Sequence, residues 1–294
     1  MKKTYLFLLA AASLSLAACS SGADKTQPAV VSEGLRYCES TYPYEQGVLV
    51  GNFGSTQLDP LNSEGRGYIA YLHDGAVETL ITADGNLSAP RGMYLRDGHL
   101  FICDVNKVVV YNLQQPDAAP QVVAFPEGEA FVNDLAAAGN WLYVTVTNTG
   151  RIFRLDISDP AAAGTPEPWL EIPGPNGVVI RDGVMYVATY SPDGVATPVH
   201  VIYRIADLEQ PVAEPLISVP GQYDGIAFSS DGRTLYVTNW TPAGLTAIDL
   251  ATLETSPVAC PVEPALAGPA DISVADGRIY IPDLPNSRVV ILAE

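Results

Sequence analysis

The sequence predicts an all-β fold, a six-bladed β-propeller with four antiparallel strands per blade. Three observations point there. The stretch "GPNGVVIRDGVMYVATY" (Gly174–Tyr190) returns in outline as "QYDGIAFSSDGRTLYVTNW" (Gln222–Trp240). In both, Asp-Gly stands between two β-rich runs, the signature of a hairpin whose turn needs φ > 0. Second, a lead residue followed by such a hairpin recurs six times, roughly every 40–50 residues, a propeller-blade period. Third, each unit continues with a third short β-rich run, and most add a fourth.

The elements follow in chain order. Residues 1–18 read as a signal peptide: Lys2 and Lys3, an apolar run to Ala18, and small residues before Cys19. The apolar run is shorter than the ~20 residues that span a bilayer. "LAAC" (Leu16–Cys19) resembles the lipobox of bacterial lipoproteins. That resemblance implies cleavage before Cys19, acylation there, and stable attachment to one leaflet. With Ser20 following, it implies an outer-membrane anchor facing the periplasm. Residues 19–30 are small and polar, a flexible tether. Residues 31–294 form the propeller.

The six lead residues are Glu39 in "YCESTY", Arg91 in "APRGMYLRDGHLFICD", Asn133 in "FVNDLAAAGNWLYVTV", Asn176, Asp224, and Ala270 in "GPADISVADGRIYIPD". Third runs include "KVVVYNL", "RIFRLDI" and "RVVIL". The last repeat stops at its third run, while "AVVSEGLRY" (Ala29–Tyr37) has strand character and no repeat of its own. It is expected to supply the outer strand of the sixth blade, closing the ring and covering an edge.

A net charge of −18 argues against nucleic acid, because phosphates would meet no neutralising surface. It suits a soluble exported domain, expected to be a monomer, and favours a cationic ligand. Beyond Cys19 there are Cys38, Cys103 and Cys260, which allow three pairings and leave one thiol free. There is no CxxC, HxxxH, GxSxG or GxGxxG motif, so zinc-ribbon, redox, serine-hydrolase and dinucleotide chemistry find no support.

In a propeller the first strand of each blade lines the central channel, so the lead residues converge on its mouth. Glu39, Asn133, Asn176 and Asp224 then offer hard oxygen donors for a divalent cation: Ca²⁺ first, with Mg²⁺, Mn²⁺ or Zn²⁺ as alternatives. The competing reading is local, since Asn and Asp before Gly also cap turns; Glu39 fits that reading poorly. Arg91 could hold a substrate oxygen, or pair with Asp134 or Asp104. The ends of the second strands add Asp104, Tyr190 and Trp240 as substrate-binding candidates, with Phe53, Asn148 and Asp283 at matching places. For Phe53 and Tyr190 packing between blades is the favoured reading, because aromatics usually serve as core. The long loop Tyr190–His200 is expected over one side of the mouth.

The repeats resemble the senescence-marker, gluconolactonase and luciferin-regenerating-enzyme propellers. The resemblance spans Tyr37–Leu292 at the level of repeats. It implies a metal held by Glu39 ("CES"), Asn176 ("GPNG") and Asp224 ("YDG"), with Asn133 ("FVND") as a further site residue. The family's substrate-binding Arg two residues before that Asn is replaced by Phe131. The implied activity is metal-dependent hydrolysis of a lactone, ester or sugar-like compound, with Asp224 as general base. The alternative is a non-catalytic envelope lipoprotein that binds a protein or glycan.

Overall fold

The computed structural model describes residues 28–294, so Cys19 and the signal segment lie outside the described residues. Twenty-four strands form six four-stranded antiparallel sheets. The first strand, β1 (Ala29–Val31), belongs to the last blade. Blade 1 is β2 (Cys38–Tyr44), β3 (Gly47–Asn52), β4 (Tyr68–His73) and β5 (Ala76–Ile81). Blade 2 is β6 (Met93–Arg96), β7 (His99–Asp104), β8 (Lys107–Asn112) and β9 (Gln121–Ala124). Blade 3 is β10 (Val132–Ala138), β11 (Trp141–Val146), β12 (Arg151–Asp156) and β13 (Glu167–Glu171). Blade 4 is β14 (Pro175–Arg181), β15 (Val184–Thr189), β16 (Tyr203–Ile205) and β17 (Ala213–Pro215). Blade 5 is β18 (Tyr223–Phe228), β19 (Thr234–Asn239), β20 (Gly244–Asp249) and β21 (Thr255–Val258). Blade 6 is β22 (Ser273–Ala275), β23 (Arg278–Asp283) and β24 (Arg288–Ala293), completed by β1.

Closure occurs as the sequence predicts. β1 pairs antiparallel with β24, Val30 opposite Val290, so the sixth sheet runs β1-β24-β23-β22. The strand begins at Ala29, two residues inside the stretch assigned to the tether.

The inner strands are covered on both faces, which is why the middle of a run such as "KVVVYN" is apolar and buried. Each gap between neighbouring blades holds its own core. Leu49 and Ile69 of blade 1 meet Leu100 and Ile102 of blade 2. Phe101 and Val110 of blade 2 meet Leu142 and Phe153 of blade 3. Val48 and Leu72 of blade 1 meet Val289 and Ile291, so the ring is sealed by packing as well as by hydrogen bonds. Cys38, Cys103 and Cys260 are free thiols, the first two buried within these cores.

The first strands touch around the axis. Asp271 N–H donates to Glu39 C=O (2.9 Å), joining the last blade to the first, and Gly92 N–H donates to Asn133 C=O (3.0 Å). Hydroxyls add a second set of links: Ser40 Oγ donates to Arg91 C=O, Thr145 Oγ1 to Asn176 C=O and Thr238 Oγ1 to Ala270 C=O. The backbone of a lead residue is thus gripped by the blade before it.

Candidate functional site: the channel mouth

Five of the six lead residues line one cavity of about 360 Å³ at the end of the channel: Glu39, Arg91, Asn133, Asn176 and Asp224. Each is buried. Their direction is set by irregularities in strand pairing. The register slips between Cys38 and Ser40, between Val132 and Leu135, between Pro175 and Val178, and between Tyr223 and Ile226. A bulge re-aims the residue it contains, and each of these slips encloses a lead residue.

The glycines after the lead residues are not turn glycines. Gly177 and Gly225 lie within β14 and β18. A Cβ on Gly177 would stand 2.4 Å from Asp224 O, and one on Gly225 would stand 2.5 Å from Ile272 N. The Asn-Gly and Asp-Gly pairs therefore combine a polar side chain turned to the channel with a backbone that lets the next blade approach. Asn176 Oδ1 and Asp224 Oδ1 accept no hydrogen bond, so neither atom caps a turn.

Orphaned oxygens define the site. Glu39 Oε2, Asn133 Oδ1, Asn176 Oδ1 and Asp224 Oδ1 are all buried without a partner. Leaving one such atom unmatched costs about 1–3 kcal/mol, more for a charged group, so four in one cavity demand a ligand or protons. Hard oxygen donors of this kind fit a divalent cation. Among the described residues no group of three or more His, Cys, Asp or Glu side chains stands at metal-binding spacing. The donor set is mixed, two carboxylates and two amides.

The electrostatics agree with a deficit of positive charge. Burial pushes the Asp224 carboxyl up to about 7, with Arg91 acting against the shift and Asp134 adding to it. Glu39 is raised well above the usual carboxylate range, first by burial and then by the Asp224 charge. Arg91 is the one basic residue lining the cavity. It forms no ion pair with Asp134 or Asp104. Its guanidinium donates to the carbonyls of Ala89 and Pro60 and lies over the rings of Phe131 (4.8 Å) and Phe53 (5.8 Å). Phe131, in the place where the resembling family carries an Arg, is a platform for Arg91.

A second ring forms the wall. The residue just after the second strand of each blade is Phe53, Val105, Thr147, Tyr190, Trp240 and Leu284 in turn, and all but Val105 line the cavity. Tyr190 and Trp240 thus join the lead residues. Trp240 is seated against Gly268, where a Cβ would stand 2.6 Å from the indole. Thr147 and Leu284 were not picked out in the sequence, although the repeat alignment places them beside Phe53 and Trp240. Leu58 and Pro60 come from the long connection between β3 and β4, and Pro192 from the loop after Tyr190.

Asp104 does not line the cavity. Its Oδ1 accepts from Ser88 N–H (3.0 Å) and Ala89 N–H (2.6 Å), and its Oδ2 lies 3.3 Å from Lys107 Nζ. This is a repeated device. Asn52 Oδ1 accepts from Arg36 N–H, Asn239 Oδ1 from Gln222 N–H, and Asp283 Oδ1 from Ala267 and Gly268 N–H. In these four blades the last residue of the second strand clasps the chain leading into its own blade, and in all of them but blade 2 the residue after it lines the mouth. Successive strand residues face opposite ways, so the Asp104 position is one residue out of the mouth-facing frame. Asn148 serves similarly, bonding Ala130 N–H and Gly128 C=O.

The residues after the lead positions turn away as well. Asp134 and Asp271 line a second cavity of about 350 Å³, with Thr41 and Ser273. Asp134 accepts from Leu135 and Val178 N–H, while burial pushes its carboxyl up to about 7.

No family model matches the chain, and no curated protein sequence matches it. Solved structures do. A protein of unknown function from Bacteroides thetaiotaomicron aligns with TM-score 0.60 and 14% identity, over 88% of this chain and 70% of that one. Virginiamycin B lyase from Staphylococcus aureus, a catalytically inactive form with quinupristin, aligns with TM-score 0.59 and 14% identity, over 91% of this chain and 99% of that one. A streptogramin B lyase aligns with TM-score 0.60 and 14% identity, over 90% and 96%. At these identities the likeness is one of fold.

Proposed function

We propose that the channel mouth binds a divalent cation through Glu39, Asn133, Asn176 and Asp224 and hydrolyses an ester or lactone held above it. The observation that carries this reading is the set of four buried oxygens without partners, one from each lead residue named. Two lyases among the structural neighbours, one with quinupristin, support small-molecule chemistry on this architecture.

A bound cation supplies Lewis-acid polarisation of the carbonyl and lowers the pKa of water. Asp224, kept ionised when a cation is bound, would take a proton from the attacking water. Water oxygen bonds to the carbonyl carbon, the acyl C–O bond breaks, and that proton passes to the departing alkoxide. Arg91, fixed by two carbonyls and two rings, is placed to hold the oxygen of the carboxylate product. The apolar walls keep bulk water off this exchange.

Anchoring belongs to the same proposal. "LAAC" directs acylation of Cys19, which would hold the propeller at the outer membrane facing the periplasm. Mass spectrometry of the mature N-terminus should find a lipid-modified Cys19, and an unmodified one would remove this part of the reading.

The test of the site is calorimetry on chelator-treated protein with Ca²⁺, Mg²⁺, Mn²⁺ and Zn²⁺. At least one should bind, and Asp224→Asn should weaken binding and abolish lactone turnover. If none binds, the cation reading fails and the hydrolase falls with it. The binding-lipoprotein alternative would then be favoured, because the Arg91–Phe131 stack replaces a family substrate-binding group.

A further inference from the structure

The walls of the mouth differ in chemistry from its buried end. Polar side chains gather at the lead residues. Above them the lining is Phe53, Leu58, Pro60, Phe131, Trp240 and Leu284. The polar handles on this wall are few: the Tyr190 hydroxyl, the Trp240 indole N–H and the Thr147 hydroxyl. The Thr147 hydroxyl is committed, donating to Pro175 C=O and accepting from Asn133 Nδ2. The loops that supply Leu58 and Pro192 carry further exposed apolar side chains: Leu58 is 38% exposed, Leu61 46% and Val195 60%.

We infer that the substrate of this site is an ester or lactone bearing an apolar alkyl or aryl body, and that polyhydroxy sugar lactones are rejected. This rests on the hydrolase reading above and sets its substrate class. A sugar lactone carries hydroxyls around its ring. Against Phe53, Leu58, Pro60 and Leu284 those hydroxyls would lose water and gain no partner, at a loss of roughly tenfold in affinity for each one buried. An alkyl chain on the same wall gains about fourfold for each methylene taken out of water. The carbonyl end is drawn to the polar lead residues, and the body lies along Trp240 toward Leu58.

The experiment separates binding from turnover. Binding to the cation-loaded protein is measured by calorimetry with γ-lactams bearing alkyl chains of increasing length, which resist hydrolysis. Hydrolysis of the matching γ-lactones and of glucono-δ-lactone is followed in parallel. Lactam affinity should rise about fourfold per methylene until the chain outgrows the cavity. Trp240→Ala should flatten that slope, and so should Leu58→Ser, a change on an exposed loop that leaves the fold intact. The alkyl lactones should exceed glucono-δ-lactone in kcat/KM by at least about tenfold. Chain-length dependence without any turnover would keep the ligand class and remove the hydrolase. Preferred hydrolysis of glucono-δ-lactone would keep the hydrolase and overturn this inference, as would affinity that ignores chain length.

Discussion

The guanidinium of Arg91 lies 4.8 Å from the ring centroid of Phe131, and no carboxylate pairs with it directly. A buried cation held by carbonyls and aromatic faces acts on Glu39 and Asp224 at a distance, moderating their repulsion without occupying their oxygens. Arg91→Met keeps much of the volume and removes the charge. Cation affinity in calorimetry should tighten roughly tenfold or more, because a like charge leaves the site. The cation-free variant should melt lower than the parent, and more so at pH 8 than at pH 5, where protons already quiet the carboxylates. Unchanged cation affinity would mean that Arg91 and the proposed ligands are uncoupled.

The carboxyls set the pH dependence. Asp224 and Asp134 are both raised to about 7 by burial, from an ordinary value of 3.8. Between these values the folded chain holds more protons than the unfolded chain, so stability falls as pH rises through the window. Without a divalent cation, the melting temperature should therefore drop from about pH 4 to about pH 7 for these groups. A cation competes with the protons, so its stabilising effect should grow over the same range. Thermal denaturation at several pH values, with chelator and with Ca²⁺, measures both. A cation-induced shift that stays constant with pH would sink the assignment of Asp224 as a ligand.

The ring and its closure were legible because repetition supplies what one strand cannot. A lone Asp182-Gly183 is only a hairpin, whereas six aligned units fix blade number, lead positions and the missing outer strand that Ala29–Val31 provides. The lead residues were legible for the same reason, since equivalent positions in a ring converge. Asp104 was harder. Its neighbour Val105, rather than Asp104 itself, stands at the position equivalent to Phe53 and Trp240, although it packs against the core instead of lining the cavity, and a shift of one residue reverses a strand's face. Leu58 and Pro60 carry no repeat signal at all, because the loop after β3 is peculiar to its blade. Arg91 was found as a charge, but its seat between Phe131 and Phe53 joins two blades through space. Spacing along the chain does not encode that.

Two glycines separate turn chemistry from close packing. Gly183 has φ +77° and open space around its Cβ position, so Gly183→Ala should cost about 1–2 kcal/mol of backbone strain. Gly177 has no such φ, but its added Cβ would meet Asp224 O at 2.4 Å and Gly225 Cα at 3.1 Å, all backbone. Gly177→Ala should cost about 3 kcal/mol in urea denaturation. It should also weaken cation binding, because blades 4 and 5 must part at Asp224. A cost at Gly177 below that at Gly183 would contradict the packing seen at the axis.

Asp104 offers the sharpest division between scaffold and site. Its carboxylate is fully buried and accepts two backbone N–H groups just ahead of Arg91. Asp104→Ala strands both donors and unpairs Lys107, and should lose about 2–4 kcal/mol of stability. Asp104→Asn retains an acceptor oxygen and should lose less, about 1 kcal/mol, mainly through the Lys107 contact. If the residue only clasps the loop, kcat/KM of the folded Asn variant should stay within about twofold of the parent. Any activity lost by the Ala variant should then follow its loss of stability. If Asp104 instead contacts substrate, the Asn variant should lose activity while its urea midpoint stays near that of the parent. Paired urea curves and lactone kinetics on the two variants distinguish these outcomes, because a clasp and a ligand contact rank Asn and Ala differently in stability and in rate.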